Sequence, residues 1–327
     1  MVKHSLLELL ENARGKFLSG EEVAAKLGVS RGAVWKAAEA LRREGHPLEA
    51  VKNRGYRLPE DSDKLSAAGI RKYLPDGLGV RVEAVASAPS TNDLVRARAE
   101  EGEAEGLALF AEEQTAGRGR LRRVFYSPRG GLYFSLLLRP ARYTAAQALR
   151  VTAAAAVAVC AAIEDVGGRG AGIKWVNDVY MGGKKVCGIL TEASVSMEDG
   201  RLRSVVLGVG INAYAPPGGF PGALKDIAGS VFDAPQGDGK NKLAAAVLRR
   251  FFELYGALDA PFVMEEYRRR SCVLGREIDV LGPQGARRAA ALGIGDDGSL
   301  LVRYESGEEA RLYAGEIGIR VGAAGEA

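Results

Sequence analysis

From Val151 to Ile163 the chain carries no charged residue; the run is rich in alanine and interrupted only by Thr152 and Cys160. A helix that is apolar all round has no face to offer water and must be enclosed by other elements. The run is too short to cross a bilayer, which takes ~20 residues. It predicts a buried helix, carried by its flanks over Thr144–Val166, inside a layered core. A chain of 327 residues can build such a core without disulfides or metals, as two to three domains of ~100–200 residues each.

Composition removes several function classes. Hydrophobic residues make up 47% and charged residues 26%, which excludes wholesale disorder. His4 and His46 are the only histidines, so neither a His-rich metal centre nor a Ser–His–Asp hydrolase is expected. The three cysteines, Cys160, Cys187 and Cys272, are widely spaced and odd in number, which points to a reducing compartment and no disulfide framework. Met1–Leu10 lacks a signal-peptide pattern, because Glu8 breaks its apolar run. The expectation is a soluble, cytoplasmic protein without a membrane partner. Glycine is abundant, 43 residues of 327 against a usual ~7%, as tight turns or backbone close to a ligand require.

Charge is unevenly placed. Residues 1–60 hold 11 basic and 8 acidic side chains, and residues 31–57 hold 7 and 3. That basic excess is the footprint of a phosphate-backbone binder, although solvated basic faces are common. Between Glu113 and Glu164 there is no carboxylate but there are eight arginines, five of them from Arg118 to Arg129. Like charges so crowded repel one another, so the stretch is expected to order around an anion.

In the N-terminal segment Val23, Ala24 and Leu27 share a helical face, Gly28 ends that helix and Ser30 can cap the next, Arg31–Arg43. Val34, Ala37, Ala38 and Leu41 form the buried side of the second helix. This is helix–turn–helix spacing. Ser30, Arg31, Trp35 and Lys36 stand where a groove could be reached. Leu48–Leu58 reads as a wing with Lys52 and Arg54 at its tip. These six are the candidate DNA contacts, the alternative being a module used only for protein contact. Pro59–Lys64 is the best linker candidate.

Further on, short apolar runs alternate with helical patterns. Strands are expected at Arg81–Val85, Leu107–Ala111, Leu132–Leu138 and Val205–Ile211, with a hairpin over Val179–Thr191 turning at Gly182–Gly183. Four patches carry chemistry. Ser90-Thr91-Asn92 opens a helix, where hydroxyls and amides can cap it or hold a polar ligand. Gln114 to Arg120 (QTAGRGR), continuing through Arg122, Arg123 and Phe125 to Ser127-Pro128, alternates glycine with arginine, so that backbone and guanidinium forks can grip phosphate oxygens. It is neither a GxGxxG nor a Walker loop. Lys174-Trp175-Val176-Asn177-Asp178, followed by Lys184 to Leu190, offers lysines and a metal-capable Asp178 suited to a nucleotide with Mg²⁺. Gly208–Asn212 is a glycine-bearing apolar strand ending in an amide.

In this order the four patches resemble the bifunctional biotin–protein ligase and biotin operon repressor family, over nearly the whole chain. The resemblance implies an α+β protein with three parts. Residues 1–62 would be a winged helix–turn–helix DNA-binding domain, and 63–270 a central mixed-sheet, biotin/lipoate-ligase-like catalytic domain. Residues 271–327 would be an SH3-like small β-barrel, with strands in EIDVL, SLLVRY and EEARLY. It implies that Ser90, Thr91, Asn92, Gln114, Gly117, Arg118, Gly119, Arg120, Lys185, Gly188 and Asn212 contact biotin or its adenylate. Lys174, Asn177, Asp178, Arg122 and Arg123 would serve the ATP side, with Asp178 toward Mg²⁺. Lys185, Arg118 and Arg120 would be catalytic. Against the pattern GRGRRGRxW, Arg122 stands for a glycine and Phe125 for the tryptophan; Val176 stands for a proline.

The implied activity is formation of biotinyl-5′-AMP from biotin and ATP, then transfer of biotin to a lysine of a biotin carboxyl carrier protein. The implied second role is repression of biotin genes by a homodimer on operator DNA, with the adenylate as co-repressor. Neither chemical step needs a protein nucleophile, in keeping with the scarcity of histidine. Three other readings stay open: a transcription factor whose central domain only senses a ligand, a lipoate or octanoate ligase on the related fold, and a catalytically dead paralogue.

Overall fold

A computed structural model describes residues 2–282 and 285–319; the side chains of Arg122, Ala146, Glu316 and Ile319 lie outside the description. The first module consists of α1 (Val2–Asn12), α2 (Gly20–Leu27), α3 (Arg31–Arg43) and a hairpin of β1 (Glu49–Val51) and β2 (Gly55–Arg57). Ser19 and Ser30 cap α2 and α3, each hydroxyl accepting from the amide three residues on (Glu22, 3.0 Å; Ala33, 3.2 Å). Gly28 ends α2 in the left-handed conformation, φ 63°, at the turn that the spacing predicts. Leu6, Leu10, Val23, Val34, Ala38, Leu41, Leu48 and Leu58 form this module's core. Gly55 has no substitute, because a Cβ there would lie 1.9 Å from the Leu18 carbonyl, which pairs with Tyr56 and fastens the hairpin to the helices.

The middle of the chain adds α4 (Ala67–Arg71), β3 (Arg81–Val85), α5 (Thr91–Glu100), β4 (Leu107–Ala111), β5 (Leu132–Leu138), α6 (Ala148–Gly167), β6 (Gly172–Lys174), β7 (Asp178–Met181), β8 (Lys184–Val195) and β9 (Leu202–Ile211). Then follow α7 (Leu224–Ile227), α8 (Gly239–Tyr255) and α9 (Pro261–Arg269). Its strands form one mixed sheet, β3-β4-β5-β9-β8-β7-β6, with β3 and β4 parallel and the other pairs antiparallel. Alternation along β4 sends Leu107 and Leu109 to the α5 side and Ala108 and Phe110 to the α6 side. Every residue of β5 is buried, because both faces are covered. The alanine-rich α6 lies between the sheet and α8 and α9, which is how the chain encloses a helix without a polar face. Among the described residues no helix is long and apolar enough to cross a membrane.

The last five strands, β10 (Glu277–Gly282), β11 (Gly285–Ile294), β12 (Leu300–Tyr304), β13 (Glu309–Leu312) and β14 (Glu316–Ile319), form an antiparallel sheet in the order β13-β12-β11-β10-β14. Its inward residues Ile278, Ala289, Ala291, Leu300, Val302 and Ile317 belong to the same apolar cluster as α6 and the central sheet. The indole Nε1 of Trp175 donates to the Gly298 carbonyl at 2.9 Å.

The linker is not a free tether. Arg14 and Glu11 of the first module meet Lys72 and Asp238 in a buried square of alternating charge. Arg14 lies 2.7 Å from Glu11 and 2.8 Å from Asp238; Lys72 lies 2.9 Å from Glu11 and 2.5 Å from Asp238. Tyr73 adds its hydroxyl to Asp238 at 2.7 Å, and the third nitrogen of Arg14, Nη1, donates to the Ser62 carbonyl at 2.5 Å.

Candidate active site

A cleft of about 980 Å³, counting its open mouth, lies between the 114–127 segment, the start of α5, the β7–β8 hairpin and the beginning of β14. Its floor is set by small residues. A Cβ on Gly208 would fall 2.1 Å from Asn92 Oδ1, and one on Gly210 would fall 2.4 Å from the Phe125 ring. Gly188, paired with Gly210 across β8 and β9, lies under the same ring. Phe125 therefore occupies a trough that two glycines, Gly188 and Gly210, leave open.

A continuous polar chain crosses this floor. The Thr91 amide and hydroxyl donate to Gln114 Oε1 at 2.8 and 3.1 Å. Gln114 Nε2 donates to Ser127 Oγ at 3.0 Å, and Ser127 donates to the Phe125 carbonyl at 2.9 Å. Ser135 Oγ lies 2.6 Å from Asn92 Oδ1 and 2.8 Å from Thr91 Oγ1, and Asn92 Nδ2 donates to Glu192 Oε2 at 2.7 Å. Sequence reading missed Ser135, which is fully buried; its signal was the lone serine inside LYFSLLL. Ser90 occupies the N-cap of α5, but contrary to expectation its hydroxyl makes no capping bond.

The glycine–arginine segment forms a hairpin of its own: Gly119 N–H donates to the Arg123 carbonyl (2.7 Å) and Phe125 N–H to the Gly117 carbonyl (2.9 Å). The crowded arginines are met from outside it. Arg118 reaches Asp93 and Glu192, Arg129 reaches Glu113, and Arg120 Nη1 donates to Asn177 Oδ1 at 3.0 Å. The left-handed residue is Leu121, φ 55°, one position before the family's glycine.

Cations gather at the other end. Lys185 Nζ stands 2.7 Å from Asp178 Oδ1, and Lys174 lies over the Tyr180 ring at 5.5 Å. Asn177 is held by Nδ2 donating to the Ile189 carbonyl at 2.8 Å. The Tyr267 hydroxyl donates to the Val176 carbonyl at 2.9 Å. Complete burial pushes the nearby Cys187 thiol well above its ordinary pKa, so it supplies no thiolate. Asp178 is the one carboxylate in the described lining, and among the described residues no group of three His, Cys, Asp or Glu could hold a metal. A single carboxylate matches an ion that arrives already bound to a nucleotide's phosphates rather than a resident one.

Of the expected site residues, Ser90, Thr91, Asn92, Gln114, Arg118, Gly119, Arg120, Arg123, Lys174, Asn177, Asp178, Lys185 and Gly188 line this cleft. Gly117 does not; a Cβ there would lie 2.5 Å from the Phe125 carbonyl, so it serves the hairpin's closure. Asn212 is outside the described lining and donates to the Gly229 carbonyl at 3.0 Å. The Arg122 side chain lies outside the described residues. Gly315 and Ile317 of the C-terminal sheet also line the cleft, a contribution the local motifs could not reveal. In the first module, Arg31, Trp35 (57% exposed), Lys36, Lys52 and Arg54 are exposed, whereas Ser30 is engaged as a cap. Phe17 forms a platform beneath Arg54 (4.2 Å) and Arg57 (4.7 Å).

A winged helix joined to a mixed-sheet domain with this cleft defines the class, and the chain belongs to the family of bifunctional biotin ligase/repressors. The biotin/lipoate A/B protein ligase family model matches residues 84–212, an HTH domain model 3–57, and a biotin protein ligase C-terminal domain model 273–320. The bifunctional ligase/repressor BirA of Bacillus subtilis is 35% identical over 97% of this chain and 98% of its own. The BirA of Escherichia coli is 36% identical over 63% of this chain and 62% of its own. Among solved structures, the biotin protein ligase of Aquifex aeolicus in complex with biotin and ATP is 28% identical, with a TM-score of 0.60, covering 73% of this chain and 98% of that one.

Proposed function

We propose that this protein activates biotin with ATP and transfers it to a lysine of a biotin carboxyl carrier protein, and that its adenylate-bound homodimer represses transcription in the cytoplasm. In this division of labour residues 1–62 bind operator DNA, 63–270 carry the chemistry and 271–327 complete the cleft. The observation that carries the ligase reading is the cleft's polarity: a neutral relay at one end, and Arg120, Lys174 and Lys185 near one carboxylate, Asp178, at the other.

Biotin's ureido ring suits the relay from Asn92 to Gln114, with its valerate directed toward Arg120 and Lys185. A carboxylate oxygen attacks the α-phosphorus of ATP, the bond to the β-phosphate oxygen breaks, and pyrophosphate leaves. The carrier's lysine amine then attacks the acyl carbon and loses a proton as AMP departs. Lys185 and Arg120 neutralise charge that grows on the phosphoryl oxygens, each charge-assisted bond contributing about 1.5–3 kcal/mol. Asp178 would be the residue to hold Mg²⁺, which would supply neutralisation of the nucleotide's phosphate charge. Binding ATP would draw Lys185 from Asp178 to phosphate, freeing the carboxylate for the ion.

ATP–pyrophosphate exchange with biotin, lipoate or octanoate supplied separately tests this directly. Exchange with biotin alone is expected, and exchange with lipoate instead would overturn the substrate. Lys185→Ala should abolish adenylate formation in a folded protein. In gel shifts, operator affinity is expected to rise with biotin plus ATP; indifference to them would refute the co-repressor role.

A further inference from the structure

One carboxylate joins the glycine–arginine hairpin of the cleft to its floor. Glu192, on β8, receives Asn92 Nδ2 at 2.7 Å from the floor and Arg118 Nη2 at 2.9 Å from the glycine–arginine hairpin, both on Oε2. Its Oε1 lies 3.1 Å from the same Arg118 nitrogen and 3.4 Å from Arg96 Nη1. Asp93 completes the arrangement, 2.8 Å from Arg118 and also paired with Arg96. Two arginines and two carboxylates from three segments thus form a neutral cluster at the edge of the cleft. Neither Asp93 nor Glu192 lines the cleft itself.

We propose that Glu192, seconded by Asp93, is a positioning residue for the ligase reaction: it docks Arg118 and orients Asn92 with one side chain, so that hairpin and floor take their binding geometry together. The argument rests on donor counting. These contacts of Arg118 run through one nitrogen, Nη2, whereas a guanidinium offers five N–H donors. Arg118 can stay docked and still present donors to an anion. Asn92 has its amide nitrogen on Glu192 and its oxygen on Ser135, so its rotamer is determined at both ends. The inference rests on the proposed ligase activity only for its kinetic consequence, not for the docking.

Glu192→Gln removes the charge while keeping an oxygen that can accept from Asn92. Trypsin cuts after arginine, so the hairpin's own Arg118, Arg120 and Arg123 report its opening. In ligand-free protein, cleavage there should rise about fivefold over wild type, the equivalent of about 1 kcal/mol for a half-exposed ion pair. High salt should raise wild-type cleavage toward the variant's and raise the variant's less, since only its Arg118–Asp93 pair remains to be screened, with rates normalised to a small peptide substrate. In pyrophosphate exchange, KM for biotin should rise by a similar factor with kcat held within about twofold, the signature of lost positioning rather than lost chemistry. Asp93→Asn should act in the same direction, and the double variant should fall short of the product of the single effects. Wild-type cleavage in Glu192→Gln would overturn the docking. Faster cleavage with an unchanged KM would overturn the positioning role. Absence of exchange in the wild type would instead count against the ligase reading and leave the proteolysis result standing.

Discussion

Asp238→Asn is the sharpest test of how the DNA-binding module is held. Asp238 is 2% exposed and Glu11 3%, and between them sit the Arg14 and Lys72 cations at 2.5–2.9 Å. Removing one carboxylate leaves two buried cations facing a single anion. Breaking a buried pair in this way costs about 3–5 kcal/mol; because asparagine can still accept from Tyr73, the lower figure applies. With a urea slope of about 3 kcal/mol/M, a loss of about 3 kcal/mol moves the unfolding midpoint by about 1 M. Since the square joins two apolar clusters, the transition should also broaden as the first module separates from the rest. Adding Lys72→Met removes the stranded cation and should restore most of the loss. A loss of stability below about 0.5 kcal/mol for the single variant, or a double variant no more stable than the single, would refute the reasoning.

Other outcomes follow from the same geometry. Gly208→Ala places a Cβ on the Asn92 oxygen and Gly210→Ala one on the Phe125 ring; kcat/KM for biotin in pyrophosphate exchange should fall at least about tenfold, a loss of ~1.4 kcal/mol in transition-state binding, with circular dichroism unchanged. Burial, with Lys64 nearby, holds His46 below its ordinary pKa of 6.5. The unfolded chain therefore takes up the proton first, so stability should drop as pH falls through about 6.5 and His46→Phe should flatten that slope; an unchanged slope would exclude His46 as its source. Burial also raises Cys160 to about 12 and Cys187 well above its ordinary value, so iodoacetamide mass mapping should find Cys272, only partly buried, alkylated first. Trp35→Ala should weaken operator binding in gel shifts and leave pyrophosphate exchange at its wild-type rate.

What sequence reading captured follows from where the information lies. β3, β4 and β5 begin and end at the expected residues; the apolar runs of β4 and β5 are bounded by Gly106 and Glu112 and by Gly131 and Arg139. The α2–α3 turn was legible because Gly28 and Ser30 act locally. By contrast, α1 was scanned only for a targeting signal, although Leu6, Leu7 and Leu10 share a helical face and are buried. The expectation that the arginine run orders around an anion left out Asp93, Glu113 and Glu192, counter-charges that only the tertiary fold brings near. Ser135 and Glu192 were missed for the same reason: their partners are remote in sequence, and no local periodicity marks a residue that acts through another. The family resemblance is what implies Asn212 at the adenylate; its amide also joins the end of β9 to the Gly229 loop, a contact invisible before the loop is positioned.

The order in which the chain leaves the ribosome gives the shared core of the central and C-terminal parts a further meaning. The winged module has its own apolar cluster and is complete early. The cleft is not, since Gly315 and Ile317 belong to its wall and Ile317 to the cluster beneath α6. Domains fold as units from the N-terminus during synthesis, so a polypeptide released before β14 would hold a finished DNA reader and an unfinished catalyst. Translation itself thus withholds adenylate chemistry until nearly the last strand has been made.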